Sequence, residues 1–171
     1  GGEVVVIEYQ NSKNIKVRHT DEFGYETKTT ATDLRAGQLK NPYMRSVQGI
    51  GFFGVGEYKS SANGEKTEAY SHWKTMMTRC YNEKLHERQP TYKDCEVAEI
   101  WHIFQNFAKW FETQPYEKGW QLDKDLFVKG NKVYSPDTCS FVPSQINSLL
   151  INRGRYRGDL PLGVKKNYKG F

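Results

Sequence analysis

Apolar and polar positions alternate with period two through the first thirty residues. Val4, Val5, Val6 and Ile7 form a β-branched run, Asn11-Ser12-Lys13-Asn14 interrupts it, and Ile15-Lys16-Val17-Arg18 resumes the alternation. Asp21-Glu22-Phe23-Gly24 marks a second turn before a Thr-rich stretch over 25–30. This pattern predicts three short antiparallel strands within 3–35, a meander that needs something to pack on. From residue 67 the spacing changes to three and four. Tyr70, Trp73, Met77 and Cys80 predict a helix over 67–82. Val97, Ile100, Trp101, Phe104, Phe107, Ala108 and Phe111 predict a longer one over 96–113, with a wide apolar face. The stretch 83–95, with Pro90 inside it, reads as a loop. Alternation returns over 120–142 and reads as a hairpin around Gly130-Asn131, and a last helix is expected over 145–151 with Ser144 as its cap.

This succession predicts an α+β fold. A small N-terminal antiparallel β meander precedes aromatic-rich helices packed with a hairpin and helix. Four segments are expected: a meander over 1–45, a Gly-rich connector over 46–66, a helix-and-hairpin module over 67–151, and a basic tail over 152–171. The connector contains Gly49-Ile50-Gly51-Phe52-Phe53-Gly54. No Lys-Ser/Thr follows its last glycine, so it reads as a linker with apolar residues docked on a neighbour, not as a phosphate-cradling loop.

Composition narrows the class. With 14% aromatic residues, including 4 Trp, 11 Tyr and 9 Phe, the chain is too ring-rich for a disordered one. No apolar run is long enough to span a bilayer, so no membrane partner is expected. The 3 cysteines form neither a disulfide framework nor a Cys-x-x-Cys zinc site. Reduced thiols suggest a cytoplasm, that of a bacterial or phage-infected cell.

The formal net charge of +5 is unevenly placed. Of 25 basic and 20 acidic residues, the last 21 positions hold six and one, which leaves 19 of each in the first 150. Arg153, Arg155, Tyr156 and Arg157, with Lys165 and Lys166 further on, interleave cations with a ring that can stack on bases. This tail predicts a salt-sensitive contact with a phosphate backbone.

Candidate chemistry gathers between Leu122 and Asn147. Asp123 and Asp125 lie two apart, on one face if both belong to a strand. Asn131 and Asp137 fall in loops downstream and Asn147 on the last helix, a set of oxygen and amide donors that suits a hard divalent ion. A solvated strand face with turn-forming Asn and Asp accounts for the same residues.

Residues 120–150 resemble the ββα-metal hairpin of the HNH (His-Me finger) nucleases, as found in phage-type homing endonucleases. Leu122-Asp123-Lys124-Asp125 stands where Val-Asp-His-Ile is usual. Ser135-Pro136-Asp137-Thr138-Cys139-Ser140-Phe141-Val142 stands for the Pro-Glu-Asn-Leu turn and strand, and Gln145-Ile146-Asn147 for the helical Glu-x-Asn. The aromatic helices upstream resemble those that precede the hairpin in phage-encoded members. The resemblance implies a Mg2+- or Mn2+-dependent DNA endonuclease in which Asp123 and Asn147 hold the metal. It also implies a general base at position 124, where this chain has Lys124. A lysine ammonium at pH 7 has no lone pair to take a proton from water. Asp125 would have to act as the base instead, or His86 from the loop before Pro90. His72 is expected to be structural, His102 packed or at the surface, and His19 part of the strands.

The stretch 157–171 resembles the opening strand of an APETALA-type DNA-binding domain. That resemblance implies a major-groove sheet of which this sequence holds one strand's worth. Three functions follow as expectations: a metal-dependent endonuclease acting on double-stranded DNA, a catalytically inactive HNH-like nucleic-acid-binding module, and a factor that binds a protein partner.

Overall fold

The computed structural model describes residues 2–150. Three strands, β1 (Val4–Asn11), β2 (Asn14–His19) and β3 (Glu26–Thr29), form an antiparallel sheet in the order β1-β2-β3. Alternation decides its faces. Ile15, Val17 and His19 of β2 are buried, while Lys16 and Arg18 point outward and pair with Glu26 of β3. β1 is an edge strand, and Val5, Val6, Ile7 and Tyr9 on it are exposed. A short helix, α1 (Ala31–Arg35), capped by the Thr30 hydroxyl, follows the sheet where the sequence pattern read only strand and turn.

The connector's apolar residues dock on neighbouring elements. Phe23, in the β2–β3 turn, stacks on Tyr43 at 4.4 Å between centroids and lies 5.1 Å from Phe52. Asn41 donates to Asp21, and Arg45 pairs with Glu22. Phe52 bridges to Ile103 in parallel, and Phe53 packs on Phe104. Gly54 takes a left-handed φ of +76°, and a Cβ there would stand 2.5 Å from Ile103 Cγ2. Gly54→Ala is therefore expected to cost about 1–2 kcal/mol from the backbone alone, with Ile103 shifting to relieve the contact. Urea unfolding checks it, and an unchanged midpoint would refute it. A tight hairpin of β4 (Ser61–Ala62) and β5 (Glu65–Lys66), turning at Asn63-Gly64, ends the segment.

α2 (Glu68–Tyr81) starts at Thr67, whose hydroxyl accepts from the Tyr70 amide. Its buried face is Trp73, Met76, Met77 and Cys80. The stretch expected to be a loop holds α3 (Glu83–Arg88), capped by the Asn82 side chain, and a 3-10 turn at Pro90–Tyr92.

The helix expected over 96–113 is half that length. Glu96–Val97 forms β6, Glu99–Trp101 a 3-10 turn, and only Phe104–Glu112 is helical, as α4. The cause is tertiary. β6 pairs in parallel with β8 (Val133–Tyr134), the Glu96 and Ala98 amides donate to Lys132 and Tyr134 carbonyls, and the Val97 amide donates to the Tyr81 hydroxyl. Ile103 is extended, which breaks the helix and leaves Ile100 at the surface. Trp101, Phe104 and Phe107 still reach one core, so the apolar spacing survives the break.

β7 (Gln121–Asp123) pairs antiparallel with β9 (Ser140–Val142), in the register Leu122↔Phe141. β8 lies in the connecting loop and belongs to the β6 ladder, not to the hairpin. Phe141 closes the core against Phe111, Tyr116 and His72, with centroids 4.9–5.2 Å apart. α5 (Ser144–Leu150) follows at once and starts at Ser144 itself, one residue earlier than expected. The class is α+β, with an aromatic core between α2, α4 and the hairpin.

Candidate functional site

The hairpin positions the predicted residues through backbone bonds. β7 ends at Asp123, so Asp125 lies in a turn and not on a shared strand face. The reason is local: Asp123 Oδ1 accepts the amides of Asp125 and Leu126, both at 2.7 Å, and turns the chain out of the sheet. Its Oδ1 is thereby engaged, and Oδ2 has no partner within the described residues.

Lys124 points the other way. Its side chain is 9% exposed, and Nζ donates to Asp125 Oδ1 at 2.6 Å and to the Asn131 carbonyl at 2.5 Å. The ammonium also faces the Tyr134 ring, 5.8 Å from its centroid. Asn131 completes a reciprocal lock. Its Nδ2 donates to the Lys124 and Val133 carbonyls, and its Oδ1 accepts the Val133 amide. The Lys124 side chain thus holds the Asn131 backbone, and the Asn131 side chain holds the Lys124 backbone. Both residues close the loop between β7 and β8.

Asn147, on α5, donates from Nδ2 to Gln121 Oε1 at 2.6 Å, which docks the helix on β7. Gln121 and Asp123 share a face of that strand by alternation, so Asn147 and Asp123 flank one side of the hairpin. A divalent ion there would find one carboxylate oxygen of Asp123 and the amide oxygen of Asn147. Among the described residues no group of three His, Cys, Asp or Glu side chains gathers. The donor set fits a largely hydrated Mg2+, which keeps several waters and takes one or two carboxylates, and not an ion that needs a dehydrated cage.

His86 sits on α3, not in a loop. Its Nε2 is 2.8 Å from the Arg79 carbonyl, and a carbonyl only accepts, so the ring proton is on Nε2. α3 packs on α2 and on the 90–92 turn. The structure brings Asp123, Lys124, Asp125 and Asn131 together, places Asn147 beside them across Gln121, and seats His86 on the helix pair. Arg153, Arg155, Tyr156, Arg157, Lys165 and Lys166 lie outside the described residues.

No family model matches the chain, and neither does any curated protein or solved structure.

The site's chemistry therefore rests on its geometry. His72, expected to be structural, stands within 3.3 Å of the Tyr116 hydroxyl, which donates to Glu68 at 3.0 Å. Burial holds the His72 imidazole below its ordinary pKa, and burial with the Glu68 bond pushes the Tyr116 hydroxyl up to about 12. Burial also pushes the Cys80 and Cys139 thiols up to about 12, so both stay protonated and neither serves as a nucleophile. Between α2 and β7 a cavity of about 220 Å3 is lined by His72, Arg79 and Gln121, among others. The apolar stripe that marks α2 in the sequence does not reveal this wall. The available signal was the polar spacing Ser71, His72, Thr75, Thr78 and Arg79 on the opposite side of the same helix.

Proposed function

We propose that the chain binds double-stranded DNA through an HNH-like ββα hairpin that holds nucleic acid without hydrolysing it. The state of Lys124 carries this reading. Where the resemblance implies an imidazole open to water, the chain has an ammonium, buried and bonded to Asp125 and Asn131. An ammonium donates protons and accepts none, so water at this position has no general base. The order of elements supports kinship with the hairpin: a strand ending in Asp, a loop held by Asn, a second strand, and a helix bearing Asn. Six cations in the last 21 residues support an anionic partner. Asp123 and Asn147 would hold Mg2+ or Mn2+, which when bound neutralises charge on a phosphate.

Two measurements test the proposal together. Labelled duplex DNA titrated with the full chain over a salt series is expected to show affinity that falls steeply with salt. Supercoiled plasmid with Mg2+ or Mn2+ is expected to stay intact. Nicking that disappears in Asp123→Ala would replace this reading with the endonuclease, in which Asp125 or His86 must supply the base. No binding at low salt would remove nucleic acid from the account and leave a protein partner.

A further inference from the structure

The first 150 residues carry 19 basic and 19 acidic side chains, so the described body has no excess charge to draw DNA. Its charge is nevertheless not mixed everywhere. A groove of about 460 Å3 runs along the outer face of α2, walled on the far side by Leu85 of α3. Lys66, Lys74 and Arg79 line it together with Ser71, Thr75 and Thr78, and no carboxylate does.

These groups are available to a ligand. Lys66 and Lys74 are exposed and take part in no ion pair or hydrogen bond of their side chains among the described residues. The hydroxyls of Ser71 and Thr75 likewise have no side-chain partner there, whereas Thr78 Oγ1 donates to the Lys74 carbonyl. Arg79 is braced with its guanidinium 5.5 Å from the Tyr92 ring centroid. Ser71, Thr75 and Arg79 also line the 220 Å3 cavity that opens onto Gln121, so one row of α2 side chains borders both spaces, between α3 and the ββα hairpin. Glu68, the one carboxylate lining the second cavity, accepts the Tyr116 hydroxyl.

The geometry points to this face of α2 as a second phosphate-binding surface. It would hold the backbone of duplex DNA with Lys66, Lys74 and Arg79 while the hairpin lies against the same duplex. The groove's cations and hydroxyl donors, with no carboxylate among its lining residues, match phosphate oxygens, and contacts of this kind fix register without reading sequence. The inference rests on the DNA-binding reading above and adds to the tail a site in the charge-balanced body.

The test uses the full chain and labelled duplexes of two unrelated sequences. Lys66→Gln/Lys74→Gln alters exposed residues, and an unchanged thermal melt verifies its fold. Loss of two phosphate contacts is expected to weaken binding equally for both sequences and to lower the slope of log affinity against log salt by about 2. Lys165→Gln/Lys166→Gln serves as a comparison in the tail. If only the tail pair changes the slope, the groove is not a phosphate site and the DNA-binding reading stands. If the unaltered chain does not bind DNA at all, both fall.

Discussion

Trp73→Ala is expected to lower the unfolding free energy by about 4–5 kcal/mol, a large share of the roughly 5–15 kcal/mol typical of a folded domain. Trp73 is fully buried, with its ring 5.5 Å from Phe104 and 5.7 Å from Tyr70, centroid to centroid. Its indole N–H donates to the Trp101 carbonyl at 2.7 Å. Truncation leaves a ring-sized cavity in a core of stiff aromatics and strands a buried carbonyl, two costs that add. The backbone has already moved in to meet this ring: a Cβ on Gly51 would come within 2.9 Å of Trp73 and of Met77. Urea unfolding monitored by circular dichroism reads the loss. Trp73→Phe keeps most of the packing and loses the bond, and should cost about half as much. A loss below about 2 kcal/mol for the alanine variant would mean that the core collapses around the gap, against the rigidity inferred from its ring contacts.

The second large effect belongs to Asn131→Ala, at about 3 kcal/mol. The side chain makes three bonds, to the Lys124 carbonyl, the Val133 carbonyl and the Val133 amide, each worth about 1 kcal/mol net. They hold the loop against which Lys124 is buried, so their loss also frees the ammonium. Hydrogen exchange should therefore rise across residues 124–133 and stay unchanged in α2. Protection that survives in this loop would show that the Lys124 bonds alone close it.

The parts of the fold that local pattern controls were legible in the sequence. Period-two alternation located the meander, and Tyr70, Trp73, Met77 and Cys80 located α2. The segment 96–113 was not, because its apolar spacing reports which side chains reach the core and not how the backbone carries them there. Val97 and Trp101 point inward from a strand and a 3-10 turn as well as they would from a helix, and β8, more than thirty residues away, decides between them. In the connector the apolar residues were expected to dock on a neighbour, and Phe52 and Phe53 do. The pattern did not show that Gly51 and Gly54 are positions where another side chain leaves no room. At the candidate site, residue identity indicated that Asp123, Lys124 and Asn131 belong together. Spacing could not tell that Asp123 caps a turn, or that Lys124 faces inward.

The parallel ladder of β6 and β8 bears on how the hairpin can be handled. Backbone donors at Glu96 and Ala98 hold Lys132 and Tyr134, and Lys132 Nζ reaches back to the Thr91 carbonyl. The loop that presents Lys124 and Asn131 is thus stitched to chain that precedes α4. A fragment cut at the start of α4 would keep β7, β9 and α5 but lose the strand that pairs with its own loop. The ββα unit is not a cassette to be excised or grafted alone. Its smallest transplantable form runs from α2 onward and carries the 96–103 stretch with it.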